Sequence, residues 1–281
     1  MKLTQKIAAA ARLTRIRLLS RPAPALAARL AFRFFCTPLT RKIAPLTPLF
    51  QSAEPVSFIF QKNKITGYRW NKGGRRKILV AHGFESTATN FEMLVSMLAA
   101  NGCEVLAFDA PANGRSEGKQ INAITYRDFI KHIFSVWGPF DGAIAHSLGG
   151  LAMSMALAEL PHGEGFRLVL IGPATQTSTV VRLFLQHTRL DNEKMKHAFN
   201  HVILQAGGFD VDWFSIPRAL PAIRAGILWV HDEEDAVTPY SDVRPLQQQW
   251  PGINFLITKG LGHSKIYRDA EVGKTIASYL C

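Results

Sequence analysis

Between Gly142 and Leu160 the chain reads G-A-I-A-H-S-L-G-G-L-A-M-S-M-A-L-A-E-L, and this stretch restricts the fold more sharply than any other. The apolar run Ala143 to Ala145 ends at His146-Ser147, and a helix-forming sequence starts after Gly149-Gly150. That spacing predicts a buried strand, a sharp turn and a helix. Strand and helix close tightly around such a turn, so a large side chain at Ala145 or Gly149 would collide with the backbone opposite. The strained turn holds the Ser147 hydroxyl out at the top of a sheet, where it is a candidate nucleophile. The pattern is close to G-x-S-x-G, with Ala145 in place of the first glycine. Such short strings also arise by chance, so the turn gains weight only if a base, an acid and an oxyanion donor are found elsewhere.

The rest of the chain repeats the same alternation. Lys77 to Ala81, Glu104 to Phe108, Arg167 to Ile171, Gly226 to Val230 and Ile253 to Ile257 are short continuous apolar runs, as expected of strands buried on both faces of a parallel sheet. Helical sequences fall between or after them at about Thr89 to Ala100, Thr125 to Trp137, Pro239 to Gln249 and Lys265 to Leu280. Upstream, Val56 to Phe60 and Ile65 to Trp70 read as a hairpin joined by polar residues. The expected class is α/β, a doubly wound and mostly parallel sheet. One stretch breaks the rhythm: residues 174 to 222 hold helical pieces and no strand-like run. Roughly 50 residues are too many for a simple crossover, so the stretch is expected to be a helical cap over the C-terminal edge of the sheet. Its aromatics Phe184, Trp213 and Phe214 are candidates to line a pocket, or to pack the cap onto the core.

A formal charge of +12 suggests nucleic acid until the charges are located. Ten of the 33 basic residues lie in residues 1 to 53, which contain no acid, leaving 23 basic against 21 acidic residues in the remainder. The main body is therefore nearly neutral, and no nucleic-acid surface is expected. The division is a basic helical N-terminal extension and linker over 1 to 53 and the sheet domain over 54 to 281. Charges interrupt the apolar runs of the extension too often for a transmembrane helix or a secretory signal. Two readings of it remain: a solvated helix docked on the main domain, or a basic helix in weak peripheral contact with anionic membrane. Prolines 38, 45, 48 and 55 mark a surface linker behind it. Cys36, Cys103 and Cys281 show neither disulfide nor metal-ligand spacing and fit a reducing compartment, the cytoplasm.

Ligands of open α/β sheets sit at the carboxyl ends of the strands, so polar residues just after each apolar run carry the functional information. H-D-E-E-D-A-V-T-P follows one run from His231, and G-L-G-H follows another at 260 to 263. With H-G-F at 82 to 84, F-D-A-P-A-N-G-R-S-E-G from Phe108 and A-H-S-L-G-G from Ala145, the chain resembles the α/β-hydrolase fold serine hydrolases of the lipase and esterase type over about residues 65 to 281. The resemblance implies a triad in the chain order serine, acid, histidine: Ser147 as nucleophile, Asp235 as orienting acid and His263 as base. It also implies an oxyanion hole from the backbone N–H groups of Phe84 and Leu148, and no metal or cofactor. Asp232 is the alternative acid, but it stands at the family's usual glycine position. His82, His146 and His231 are read as packed scaffold, and Asp109 as the acid that closes a turn. Asn113 stands where relatives often carry histidine.

The function implied is hydrolysis of a small-molecule carboxylic ester, or a related acyl bond, through an acyl-serine intermediate. Thioester hydrolysis or acyl transfer would use the same residues. Dehalogenases and epoxide hydrolases of this fold use aspartate as nucleophile, which Ser147 opposes. The competing class is a non-catalytic hydrolase-like binding or membrane-associated protein.

Overall fold

Every apolar run read as a strand forms one in the computed structural model, which describes residues 3–41 and 43–281. Met1, Lys2 and Lys42 of the basic segment lie outside the described residues. In chain order, α1 (Leu3–Leu19), α2 (Pro24–Phe35) and the short α3 (Pro48–Gln51) precede the hairpin of β1 (Glu54–Phe60) and β2 (Asn63–Trp70). There follow β3 (Lys77–Ala81), α4 (Glu92–Ala100), β4 (Glu104–Phe108), α5 (Ala123–Trp137), β5 (Gly142–His146), α6 (Leu148–Leu157) and β6 (Arg167–Ile171). An insertion of α7 (Thr177–His187), α8 (Glu193–Gly207) and the short α9 (Ile216–Ala219) separates β6 from β7 (Gly226–Asp232). The chain ends with α10 (Arg244–Gln249), β8 (Asn254–Thr258), α11 (Gly262–Lys265) and α12 (Ala270–Leu280).

The eight strands make one sheet in the order β1-β2-β4-β3-β5-β6-β7-β8. Only the pairs made by β2, with β1 and with β4, are antiparallel; the remaining pairs are parallel. Alternate residues of the parallel strands feed two separate cores, as a pleat of period two requires. Leu79, Leu106, Ala143 and Leu168 face the layer of α5 and α6, whereas Ile78, Val105, Ile144 and Val169 face that of α4 and α12. The strand order reverses at β3, which is flanked by β4 and β5. A doubly wound sheet opens its crevice beside such a reversal, and the loops after β3 and β5 meet there.

The stretch from Pro38 to Pro55, expected to run as a linker over the surface, instead contains α3 and a fully buried Phe50. Phe50 packs edge-on against Tyr68 and Trp70, each at a ring-centroid distance of 4.9 Å. Pro48 occupies the first turn of α3, where a missing N–H costs nothing, so this proline starts a helix and does not prevent one.

The N-terminal helices lie against the insertion. Ala27, Ala28 and Ala31 of α2 have no exposed surface and let it lie close along α8. Ile16 of α1 is buried with them, and Arg17 Nε donates to the Thr188 carbonyl at 2.8 Å. Arg12, Arg15, Arg21, Arg29 and Arg33 remain exposed, as do Ile7 and Leu18. No helix among the described residues is long and apolar enough to cross a membrane.

Candidate active site

Ser147 sits between β5 and α6 at φ 54°, ψ −123°, a conformation that costs a residue with a side chain about 1–3 kcal/mol. The surrounding packing holds it there. Its N–H donates to the Ile171 carbonyl at 3.2 Å, and a Cβ at Gly149 would stand 2.5 Å from the His82 carbonyl oxygen. Only glycine allows α6 to start so close to the end of β3. Ala145, fully buried between its register partners Ala81 and Leu170, leaves the turn undisturbed. The consequence is a serine hydroxyl raised above the carboxyl end of the sheet.

Three side chains from three strand ends form one hydrogen-bonded chain. The Ser147 hydroxyl lies 3.0 Å from His263 Nε2, and His263 Nδ1–H donates to Asp235 Oδ2 at 2.7 Å. Asp235 Oδ1 accepts the N–H groups of Val237 at 2.8 Å and Thr238 at 2.9 Å, while Oδ2 also accepts the Thr238 hydroxyl at 2.8 Å. Burial alone would raise the Asp235 carboxyl. The His263 hydrogen bond and charge, with these backbone donors, outweigh it and hold the group below its ordinary range. Asp235 is thus a buried anion facing the imidazole, which fixes the proton on Nδ1 and leaves Nε2 as an acceptor toward Ser147. Gly172, at φ +44°, lets β6 end against this pair: a Cβ there would meet Asp235 Oδ2 at 3.1 Å.

Asp232 does not reach His263. Its oxygens accept from the Glu234 N–H at 3.0 Å, the Thr258 hydroxyl at 2.8 Å and the Leu261 N–H at 3.0 Å, which pins the loop carrying His263. Each of the other strand-end histidines has a backbone task. His82 donates from Nδ1 to the Gly83 carbonyl at 2.6 Å and accepts the Ala110 N–H on Nε2 at 2.9 Å. His231 donates to the Thr238 carbonyl at 2.8 Å. His146 donates from Nε2 to the His263 carbonyl at 3.0 Å, while its Nδ1 is buried without a partner among the described residues. Burial, then repulsion from His263, pushes His146 down to about 3, so it is neutral at ordinary pH. Asp109 closes the turn after β4 by accepting the Ala88 and Arg115 N–H groups, both at 2.8 Å. Asn113 is buried and bonds the Pro111 carbonyl at 2.9 Å.

The loop after β3 lies directly against the serine: a Cβ at Gly83 would stand 2.9 Å from Ser147 Cβ. Phe84 follows in this loop, and Leu148 opens α6. A helix leaves its first-turn N–H groups without internal acceptors. Neither the Leu148 nor the Phe84 N–H is bonded to a backbone or side-chain acceptor among the described residues.

A cavity of about 390 Å³ opens beside Ser147, lined almost wholly by apolar side chains. Phe184 of α7 and Phe214, two of the three aromatics read as candidates, are among its walls; Trp213 is not. Trp213 stacks on Phe209, ring centroids 4.0 Å apart, and carries the Arg218 guanidinium at 3.5 Å from its ring. Two features escaped the sequence reading. Thr238, whose hydroxyl lies 3.1 Å from the Gly172 carbonyl oxygen and 3.2 Å from His263 Nδ1, was visible only as a letter in the acidic segment. Phe32, Phe34 and Phe35 of α2 also line the cavity, and the run F-R-F-F at 32 to 35 is the one signal in the sequence that could have found them.

Comparison with known proteins agrees with the fold. The family description serine aminopeptidase, S33, matches residues 73–208. A serine hydrolase-like protein of Dictyostelium discoideum is 29% identical over 121 residues, covering 40% of this chain and 33% of that protein. The matched part is thus about a third of the relative's length. An esterase of Pyrococcus furiosus superposes with a TM-score of 0.65 at 17% identity over 86% of this chain and 97% of the esterase. The thioesterase domain from the curacin biosynthetic pathway gives 0.59 at 16% identity over 82% of this chain and 99% of that domain. Likeness at such low identity concerns the fold.

Proposed function

We propose that this chain, which has the α/β-hydrolase fold, is a serine hydrolase that cleaves a carboxylic ester of a small molecule through an acyl-Ser147 intermediate. The observation that carries the reading is the unbroken chain Asp235–His263–Ser147 ending in the wall of an apolar cavity. Ser147 Oγ attacks the acyl carbon as its proton passes to His263 Nε2. Asp235 keeps the imidazole in the accepting tautomer and stabilises the cation that forms. The carbonyl oxygen, now negative, is met by the N–H groups of Leu148 and Phe84, each worth about 3 kcal/mol to such a transition state. His263 then returns the proton to the leaving alkoxide, and the alcohol departs. Water gives a proton to Nε2 as its oxygen attacks the acyl carbon, and Nε2 passes that proton to Ser147 Oγ as the acyl carbon–Oγ bond breaks, which frees the acid and restores Ser147.

An apolar cavity favours an acyl substrate over a peptide amino terminus. Glu85 is the one carboxylate among the lining residues described, and it is already engaged by the Leu39 N–H at 2.5 Å and the Thr40 hydroxyl at 3.3 Å. An amino group would find no free anion there. A thioester would pass through the same steps, with a thiolate as leaving group. The three cysteines are free, two of them buried, which supports a reducing compartment such as the cytoplasm. The test is turnover of p-nitrophenyl esters: wild type hydrolyses them and Ser147→Ala does not. Equal turnover by both would refute the proposal.

A further inference from the structure

We propose that residues 32–39 form the wall of the acyl pocket that limits chain length, and that the acyl group accepted is unbranched, apolar and of medium length. The inference rests on the hydrolase reading for its chemistry, but its geometry is independent of it. The segment lies outside residues 73–208, the part matched by the family description, so this wall belongs to the present chain and not to that description.

Helix α2 divides its labour by residue size. Its alanines, Ala27, Ala28 and Ala31, are buried to completion against the insertion. Its aromatics are not: Phe32, Phe34 and Phe35 all retain exposed surface and all line the cavity that contains Ser147. A helix that merely docked would bury its largest apolar side chains first, since they gain most from leaving water. Here the largest are left uncovered where an apolar ligand would cover them.

The wall is also held in place. Phe35 meets Phe184 edge-on with centroids 4.9 Å apart, and Phe32 meets Phe199 at 5.9 Å. Beyond the helix, the Cys36 carbonyl accepts the Ile121 N–H at 2.9 Å, and the Leu39 N–H reaches Glu85, the neighbour of Phe84. Arg41 donates to the carbonyls of Ala112, Ser116 and Gly118 on the loop after β4. The segment is therefore fastened to the insertion on one side and to the loops around Ser147 on the other.

Volume sets the expected length. At roughly 30 Å³ for each water-sized group, the gaps between groups included, a cavity of about 390 Å³ takes about thirteen non-hydrogen atoms. With the carbonyl oxygen and the first atoms of the leaving group inside the same space, that leaves an acyl chain of about eight to ten carbons. Below that limit, kcat/KM is expected to rise by up to about fourfold per added methylene, the gain from burying one such group. Beyond the limit it falls.

The test is a panel of p-nitrophenyl esters from butyrate to hexadecanoate with wild type, Phe35→Ala and Phe35→Trp. Phe35→Ala should move the optimum to longer chains, and Phe35→Trp should lower the octanoate-to-butyrate ratio of kcat/KM by about tenfold. Profiles that coincide for the three proteins would overturn the inference. If Phe35→Ala does not melt cooperatively, Phe35→Leu and Phe34→Leu take its place with the same expectation. Binding of p-nitrophenyl octanoate to Ser147→Ala, measured by calorimetry, separates the two claims. Weaker octanoate binding by Ser147→Ala/Phe35→Trp supports the wall even if wild type turns nothing over; equal binding removes the wall even if wild type is a proficient esterase.

Discussion

Replacing Asp235 by Asn changes one atom, and the surroundings dictate which way the amide must point. Oδ1 is fixed as an acceptor by two backbone donors, the N–H groups of Val237 and Thr238. In Asp235→Asn the amide oxygen therefore stays at that site and the NH2 takes the place of Oδ2, facing His263 Nδ1. Two donors cannot share that contact, so the imidazole adopts the other tautomer, accepting on Nδ1 and carrying its proton on Nε2. Nε2 can then no longer take the proton of Ser147. The geometry survives while the base is lost, an effect of about 10⁴ in kcat, or about 5 kcal/mol of transition-state stabilisation. Steady-state hydrolysis of p-nitrophenyl octanoate measures it, with a thermal melt to verify the fold. A variant that melts like wild type and keeps kcat within tenfold would refute the role given to Asp235.

Two further changes probe the support around the site. His146, pushed down to about 3, stays neutral in the fold, whereas the unfolded chain takes up a proton near pH 6.5. The stability it contributes is present above about 6.5 and is lost as pH falls toward about 3, on the order of 5 kcal/mol at full extent. Groups facing it include His263, Asp235 and His82. His146→Gln keeps an N–H donor for the His263 carbonyl and should flatten the decline of the urea midpoint between pH 7 and 4; parallel slopes would contradict this. Glu85, at φ 53°, ties residues 39 and 40 to the loop bearing Phe84. Glu85→Ala should lower kcat by about tenfold with little change in KM, a partial loss of one oxyanion donor. Glu85→Gln, whose amide oxygen still accepts the Leu39 N–H, should recover most of it. Wild-type kcat in both variants would exclude this positioning role.

The sheet and its strand-end residues were legible because parallel strands buried on both faces must be written as continuous apolar runs, and whatever follows such a run emerges at one edge. Ser147, Asp235 and His263 all lie just past such runs, but the choice of Asp235 over Asp232, which is nearer the end of β7, came from the resemblance and not from periodicity. Side chains on the insertion obeyed no such rule. Phe214 and Trp213 are neighbours in sequence, yet only Phe214 lines the cavity; stacking on Phe209 and under Arg218 turns Trp213 away. Thr238 acquires its contacts from the turn around Asp235, which no periodicity encodes. The phenylalanines of α2 lie more than a hundred residues before Ser147, and their place at the cavity follows from the fit of Ala27, Ala28 and Ala31 against α8. A basic, alanine-rich segment discloses that it can be a helix; which surface receives it is decided by tertiary packing.

Ser147 is proposed as a nucleophile activated by His263. Intact-mass analysis after exposure to a fluorophosphonate tests it without knowledge of the natural substrate. One covalent adduct per chain is expected, mapped by peptide sequencing to Ser147, absent in Ser147→Ala and strongly slowed in His263→Ala. An unmodified wild-type protein, or an adduct that persists in Ser147→Ala, would contradict it.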